Sequence, residues 1–148
     1  MSAPSKRHCH RTVIRLSDFA LGNVREQDVD EKYFEIWARS VGGKSEKFAA
    51  GQTIFSEGES GNRMYIVRSG SVDILVNGAL VETVEPNGIF GEMAVVDGGP
   101  RSATARAQTA CELAPIDQRT FVLMVDEAPY FALNVMRVMA NRLRRKTG

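Results

Sequence analysis

Histidine and cysteine are scarce, with two of each among 148 residues. His8 and His10 flank Cys9 near the start, and the other cysteine, Cys111, lies far along the chain. A catalytic β-barrel that works through a metal needs clustered imidazole and carboxylate ligands inside it, and no histidine falls in the apolar part of this sequence. The same shortage removes a Ser-His or Cys-His nucleophile pair from any core, so an enzyme is not expected. Two cysteines so far apart suggest reduced thiols in a cytoplasmic protein rather than a disulfide framework. There is no charge surplus either: 19 Lys and Arg against 18 Asp and Glu leave a formal net charge of +1, so no global field recruits nucleic acid or anionic lipid. No apolar run reaches the roughly 20 residues that span a bilayer. The basic stretch Met1 to Arg11 is followed by no apolar segment, so a secretory signal is not expected.

What is present is enough for one domain. Residues 1–27 show little periodicity and read as an arm. Asp28-Val29-Asp30-Glu31 has the spacing of a helix N-cap followed by a carboxylate, and Tyr33, Phe34, Trp37 and Val41 recur at helical spacing up to Gly42-Gly43. From Phe48 short runs rich in Ile, Val and Tyr alternate with glycine turns at 51, 58, 61, 70, 78 and 88. Met64 to Val67 reads as a buried strand. Val72, Ile74 and Val76 follow strand period, and Asn77-Gly78 is a strong hairpin signal because both residues tolerate positive φ. Beyond Ile116 the period becomes helical, first over Thr120 to Val125 and then from Pro129 onward. The expected fold is mainly β with flanking α: an eight-stranded jelly roll with one N-terminal and two C-terminal helices. Its expected division is an arm and short helix over 1–45, the roll over 46–118, and terminal helices over 119–148.

One segment carries the chemistry, residues 90–104. Gly91 opens a short turn whose free backbone N–H groups can face an anion. Arg101 follows a Gly-Gly-Pro corner and precedes the small residues Ser102 and Ala103, and its planar fork of donors matches phosphate oxygens. Glu92, nine residues earlier, is an acceptor suited to sugar hydroxyls. One cation, one carboxylate and a ring of backbone donors describe a phosphorylated sugar.

This stretch resembles the phosphate-binding cassette of the cyclic nucleotide-binding family, which includes the catabolite activator protein, protein kinase A regulatory subunits and cyclic nucleotide-gated channels. Phe-Gly-Glu-Met-Ala stands at 90–94 and Arg-Ser-Ala-Thr at 101–104. The resemblance covers roughly residues 46–147 and includes Phe48, Ile54 and the glycines at 51, 58 and 70. It implies a ligand-binding set by position. Glu92 would accept the ribose 2′-hydroxyl, Arg101 would hold the exocyclic phosphate oxygens, and Gly91, Met93, Ala94, Ser102 and Ala103 would complete the contacts. Ile74 and Val81 would wall the purine, and the last helix would close over the base through Arg142 and Leu143. The ligand implied is cAMP, with cGMP as the competitor because Ser102 keeps the hydroxyl that often accompanies guanine preference. The function implied is a cyclic nucleotide sensor transmitting by movement of its C-terminal helix. The alternatives are an interaction domain without ligand and a regulatory module of a larger channel, kinase or transcription regulator.

Plainer readings stand beside these. Arg101 and Glu92 are expected to neutralise one another in part in the absence of ligand. His8-Cys9-His10 is read as part of the arm rather than as a metal site. The stripe Ala132, Met136, Met139 and Leu143, with Phe131, Val135 and Val138 beside it, fits a homodimer seam, a lid or packing on the roll. An effector protein is the other expected partner. Arg142, Arg144, Arg145 and Lys146 read as a solvated basic helix end. With the chain ending at Gly148, no helix-turn-helix and no sequence-specific DNA binding are expected.

Overall fold

The computed structural model describes residues 32–147. The N-cap expected at Asp28 and the His8-Cys9-His10 group lie outside them. Helix α1 (Lys32–Val41) leads into strands β1 (Glu46–Phe48), β2 (Thr53–Phe55), β3 (Arg63–Ser69), β4 (Val72–Val76), β5 (Ala79–Val84) and β6 (Ile89–Phe90). A short helix α2 (Glu92–Asp97) follows, then β7 (Thr104–Ala107), β8 (Cys111–Asp117) and the helices α3 (Gln118–Glu127) and α4 (Tyr130–Thr147). The strands form two antiparallel four-stranded sheets, ordered β1-β8-β3-β6 and β2-β7-β4-β5. Among the described residues this is the eight-stranded roll with one preceding and two following helices that the sequence pattern calls for.

Strand period explains how two cores coexist. Along β3, Tyr65 and Val67 point into the roll, whereas Met64 and Ile66 point out toward the helices. The same split divides Phe90 from Ile89 and Leu113 from Ala114 and Ile116. A strand covered on both faces reads as a continuous apolar run, which is why Met64 to Val67 shows no alternation. The outer core is completed by Tyr33, Trp37, Met124, Phe131, Val135 and Val138. Trp37 donates its indole N–H to the Pro115 carbonyl at 2.7 Å, fixing α1 on β8.

The hairpin between β4 and β5 turns at Asn77 and Gly78, with φ of 52° and 82°, as a type I′ turn demands. Its register then slips: Ile74 faces Glu82 but Leu75 faces Leu80, leaving Val81 as the extra residue of a bulge.

Two expectations for the terminal helices change. The buried stripe of α4 is Phe131, Val135 and Val138, while Met136 and Leu143 are 59% and 49% exposed. The apolar arc that packs on the core is centred on Phe131, Val135 and Val138, with Met139 of the expected stripe packed beside it. Helix α3 begins two residues before Thr120, and its N-cap is Asp117, whose carboxylate accepts from the Thr120 N–H at 2.8 Å.

Candidate functional site

The chemistry-bearing residues meet where β6 runs into α2. Gly91 caps α2 in the left-handed region, φ 77°, with no side chain satisfying the first N–H groups. A Cβ there would fall 2.9 Å from an Arg101 nitrogen and would also carry a positive-φ penalty, so this position suits glycine alone. The short helix buries Glu92, Ala94 and Val95 and ends at Gly98, again left-handed.

Arg101 enters the same cleft from the loop before β7. It is only 7% exposed and donates from Nη1 to the Gly91 carbonyl at 3.2 Å. Its Cζ lies 3.8 Å from the centroid of the Phe55 ring. Its Nε is buried with no hydrogen-bond partner. Burial is the main force on this guanidinium and lowers its pKa. A buried cation with an unused donor is costly unless something supplies negative charge.

Glu92 is not paired with Arg101, contrary to expectation. Arg142, reaching down from α4, donates from Nη1 to Glu92 Oε1 at 2.7 Å. The same guanidinium takes Glu82 in a fork, Nε to Oε1 at 3.0 Å and Nη2 to Oε2 at 2.9 Å, and reaches the Ile89 carbonyl at 2.8 Å. Arg145 adds a bond to Glu82 at 2.9 Å. The reason is position: Arg142 continues the buried stripe of Phe131, Val135 and Val138, at helical spacing of four and three, so it faces the roll. Burial works against charge on both partners. The two carboxylates nonetheless hold Arg142 above its usual value, and Arg142 with Arg145 holds Glu82 below the ordinary carboxylate range. The basic helix end is therefore a clasp in part, and not solvated throughout.

Two adjoining clefts result. One is lined by Ile74, Gly91, Glu92, Met93, Ala94, Arg101, Ser102, Ala103 and Arg142, with Phe55, Phe90 and Pro100. The other is lined by Ile74, Val76, Val81, Glu82, Ser102, Ala103, Arg142 and Arg145. Counted with the space open to solvent they measure about 420 and 670 Å³. Every expected site residue except Leu143 lines one or both; Leu143 is half-exposed on α4 and lines neither. Val81 belongs to the second cleft only, beside Glu82, because the bulge presents two successive β5 residues to the same side. Phe55, Gly61, Glu82 and Arg145 were not expected at the site. Arg142 and Arg145 at helical spacing of three were the legible hint of a carboxylate partner; nothing local marked Phe55.

No group of three or more metal-ligating side chains occurs among the described residues, and no helix among them is long and apolar enough to cross a membrane.

A two-sheeted roll with a buried arginine and carboxylate converging beneath a terminal helix defines a domain built to take a small anionic ligand. The sequence profile of the cyclic nucleotide-binding domain matches residues 45–127, and the chain belongs to that family. A CRP-like cAMP-activated global transcriptional regulator of Mycobacterium tuberculosis is 35% identical over 103 residues, 66% of this chain and 46% of the relative. This chain thus spans less than half the length of that regulator. The catabolite activator protein of Thermus thermophilus superposes with a TM-score of 0.68 at 26% identity, covering 80% of this chain and 57% of that one. A structure from a cyclic-GMP-dependent signalling pathway in bacterial phytopathogenesis gives the same TM-score at 27% identity, covering 80% of this chain and 97% of that one.

Proposed function

We propose that this domain is a cyclic nucleotide sensor whose preferred ligand is cAMP, with cGMP the competitor. The observation that carries this reading is Arg101: a buried guanidinium with an unpartnered Nε at a cleft. Arg101 takes the cyclic phosphate. Backbone groups of Gly91, Met93, Ala94, Ser102 and Ala103 close around it, Glu92 accepts a ribose hydroxyl, and Ile74 and Val81 bound the purine. Both ligand types appear among the relatives, one named as cAMP-activated and another belonging to a cyclic-GMP-dependent pathway. Ser102, which lines both clefts, keeps the hydroxyl that often accompanies guanine preference, so cGMP stays the competitor.

Transmission follows from the clasp. A ribose hydroxyl directed at Glu92 meets Arg142 already bonded there, so ligand and helix compete for one carboxylate. Binding shifts the position of α4 only by the difference in affinity between clasped and released forms. The reader of that shift is a second copy of the chain or an effector protein, and the exposed Met136 and Leu143 of α4 are available to it. Calorimetric titration with cAMP and cGMP, beside Arg101→Ala, tests the reading. Micromolar or tighter binding that vanishes in the variant supports it. Folded, nucleotide-free protein that binds neither ligand favours the other reading, an interaction domain working through α4.

A further inference from the structure

We propose that Phe55 is a positioning residue for the anion site, its ring holding the Arg101 guanidinium in place before any ligand arrives, with Gly61 leaving the space this pose needs. The inference rests on the sensor reading and adds to it the residues that make Arg101 effective.

Three observations converge. The Arg101 guanidinium lies 3.8 Å from the Phe55 centroid, whereas the other cation–ring pairs here, Arg63 on Tyr65 and Arg68 on Phe34 and Trp37, lie at 5.2 to 5.6 Å. Phe55 is itself packed between two rings, 6.3 Å and 25° from Tyr65 and 5.9 Å and 39° from Phe90, while Tyr65 stacks on Phe90 at 5.3 Å and 23°. The three rings therefore form one cluster beneath Arg101, and it includes Phe90, the residue that leads into Gly91 and Glu92. Finally, the three atoms nearest a Cβ built on Gly61 all belong to the Arg101 guanidinium, with Cζ at 2.6 Å. Backbone bonds tie the same loop to the arginine: Arg101 N–H donates to Glu59 at 2.8 Å and Gly58 N–H to Arg101 at 2.8 Å.

The physical gain is twofold. The negative face of the ring offsets part of the cost of burying a cation that has no carboxylate on it. A planar fork held over a ring loses little freedom when it takes two phosphate oxygens, so less of the binding energy goes into ordering it.

The test is titration of the intact chain with cAMP and with cGMP for wild type, Phe55→Leu, Phe55→Tyr and Gly61→Ala, each checked for thermal unfolding. Phe55→Leu keeps an apolar side chain but no ring and is expected to weaken binding about 5- to 30-fold. Phe55→Tyr keeps the face and is expected to stay within about twofold. Gly61→Ala would set a Cβ within 2.7 Å of three atoms of the Arg101 guanidinium, so that side chain must leave the ring. Because the displaced atoms belong to a side-chain end and not to backbone, the variant should keep most of its stability yet bind more weakly. If Phe55→Leu does not fold, Phe55→Met, also apolar and without a ring, takes its place. In NMR spectra the Arg101 Nε–H proton should lie upfield in wild type, from the ring current, and return to ordinary values in Phe55→Leu. Folded variants that bind as the wild type does would overturn the positioning role while leaving the sensor reading intact. Wild type that binds neither nucleotide would overturn the reading beneath it.

Discussion

Two arginines enter one cleft with different partners, and their variants should separate cleanly. Arg101 has a ring, a carbonyl and an unused donor. A charge-assisted hydrogen bond contributes roughly 1.5–3 kcal/mol, so loss of a bidentate phosphate contact in Arg101→Ala should weaken nucleotide binding at least about 100-fold. Isothermal titration measures this, and a change under tenfold would remove Arg101 from its assigned role. Arg142 has two carboxylates. Arg142→Gln should lower stability by about 1–3 kcal/mol, since Glu92 loses its counter-charge and Glu82 is left with Arg145 alone. The same variant should bind nucleotide more tightly, because Glu92 is released for the ribose. A Kd that instead rose tenfold would mean Arg142 serves the bound ligand rather than competing with it.

Among the elements, α3 offers a test of local chemistry away from the site. Its N-cap Asp117 accepts from the Thr120 backbone and side chain, and these bonds hold its carboxyl below the ordinary range. Asp117→Ala should cost about 1 kcal/mol and lower Tm by a few degrees without altering nucleotide affinity. The pH dependence has a definite sign. A depressed folded pKa means the unfolded chain binds the proton first, so the cap's contribution is complete above the carboxyl's ordinary value near 3.8 and disappears as pH falls through the lower folded value. Thermal unfolding between pH 2 and 6 should therefore show wild type and Asp117→Ala converging at the acid end. Glu82 in β5 has the same sign through its two arginines, so acid should also loosen the clasp.

For the whole molecule the expected signature is ligand-linked stabilisation. A ligand that binds only the folded state, present at 100 times its Kd, adds about 2.7 kcal/mol. A Tm rise of several degrees with cAMP, absent in Arg101→Ala, is expected by scanning calorimetry. An equal rise in that variant would place the ligand elsewhere. The architecture explains why such a signal would be cooperative: β3 and β6 each contribute side chains to both cores, so the roll and its helices share one wall.

The sequence by itself determined the roll, the hairpin turn and the cassette. Each is written in contiguous residues: glycine turns at short spacing, Asn77-Gly78, and Gly91-Glu92 with Arg101. Local chemistry suffices there because backbone conformation and cap geometry depend on near neighbours. It also marked Phe131, Val135 and Val138 as apolar on α4, but not which side of that helix would face the roll. Only the tertiary structure decided that Glu92 pairs with Arg142 rather than Arg101, and that a bulge would bring Val81 and Glu82 to one cleft. It alone set Phe55 beneath a guanidinium 46 residues away. Such pairings join elements distant in the chain, and an ion pair or a ring contact is chosen by which faces the packing brings within reach, a property no single stretch of sequence contains.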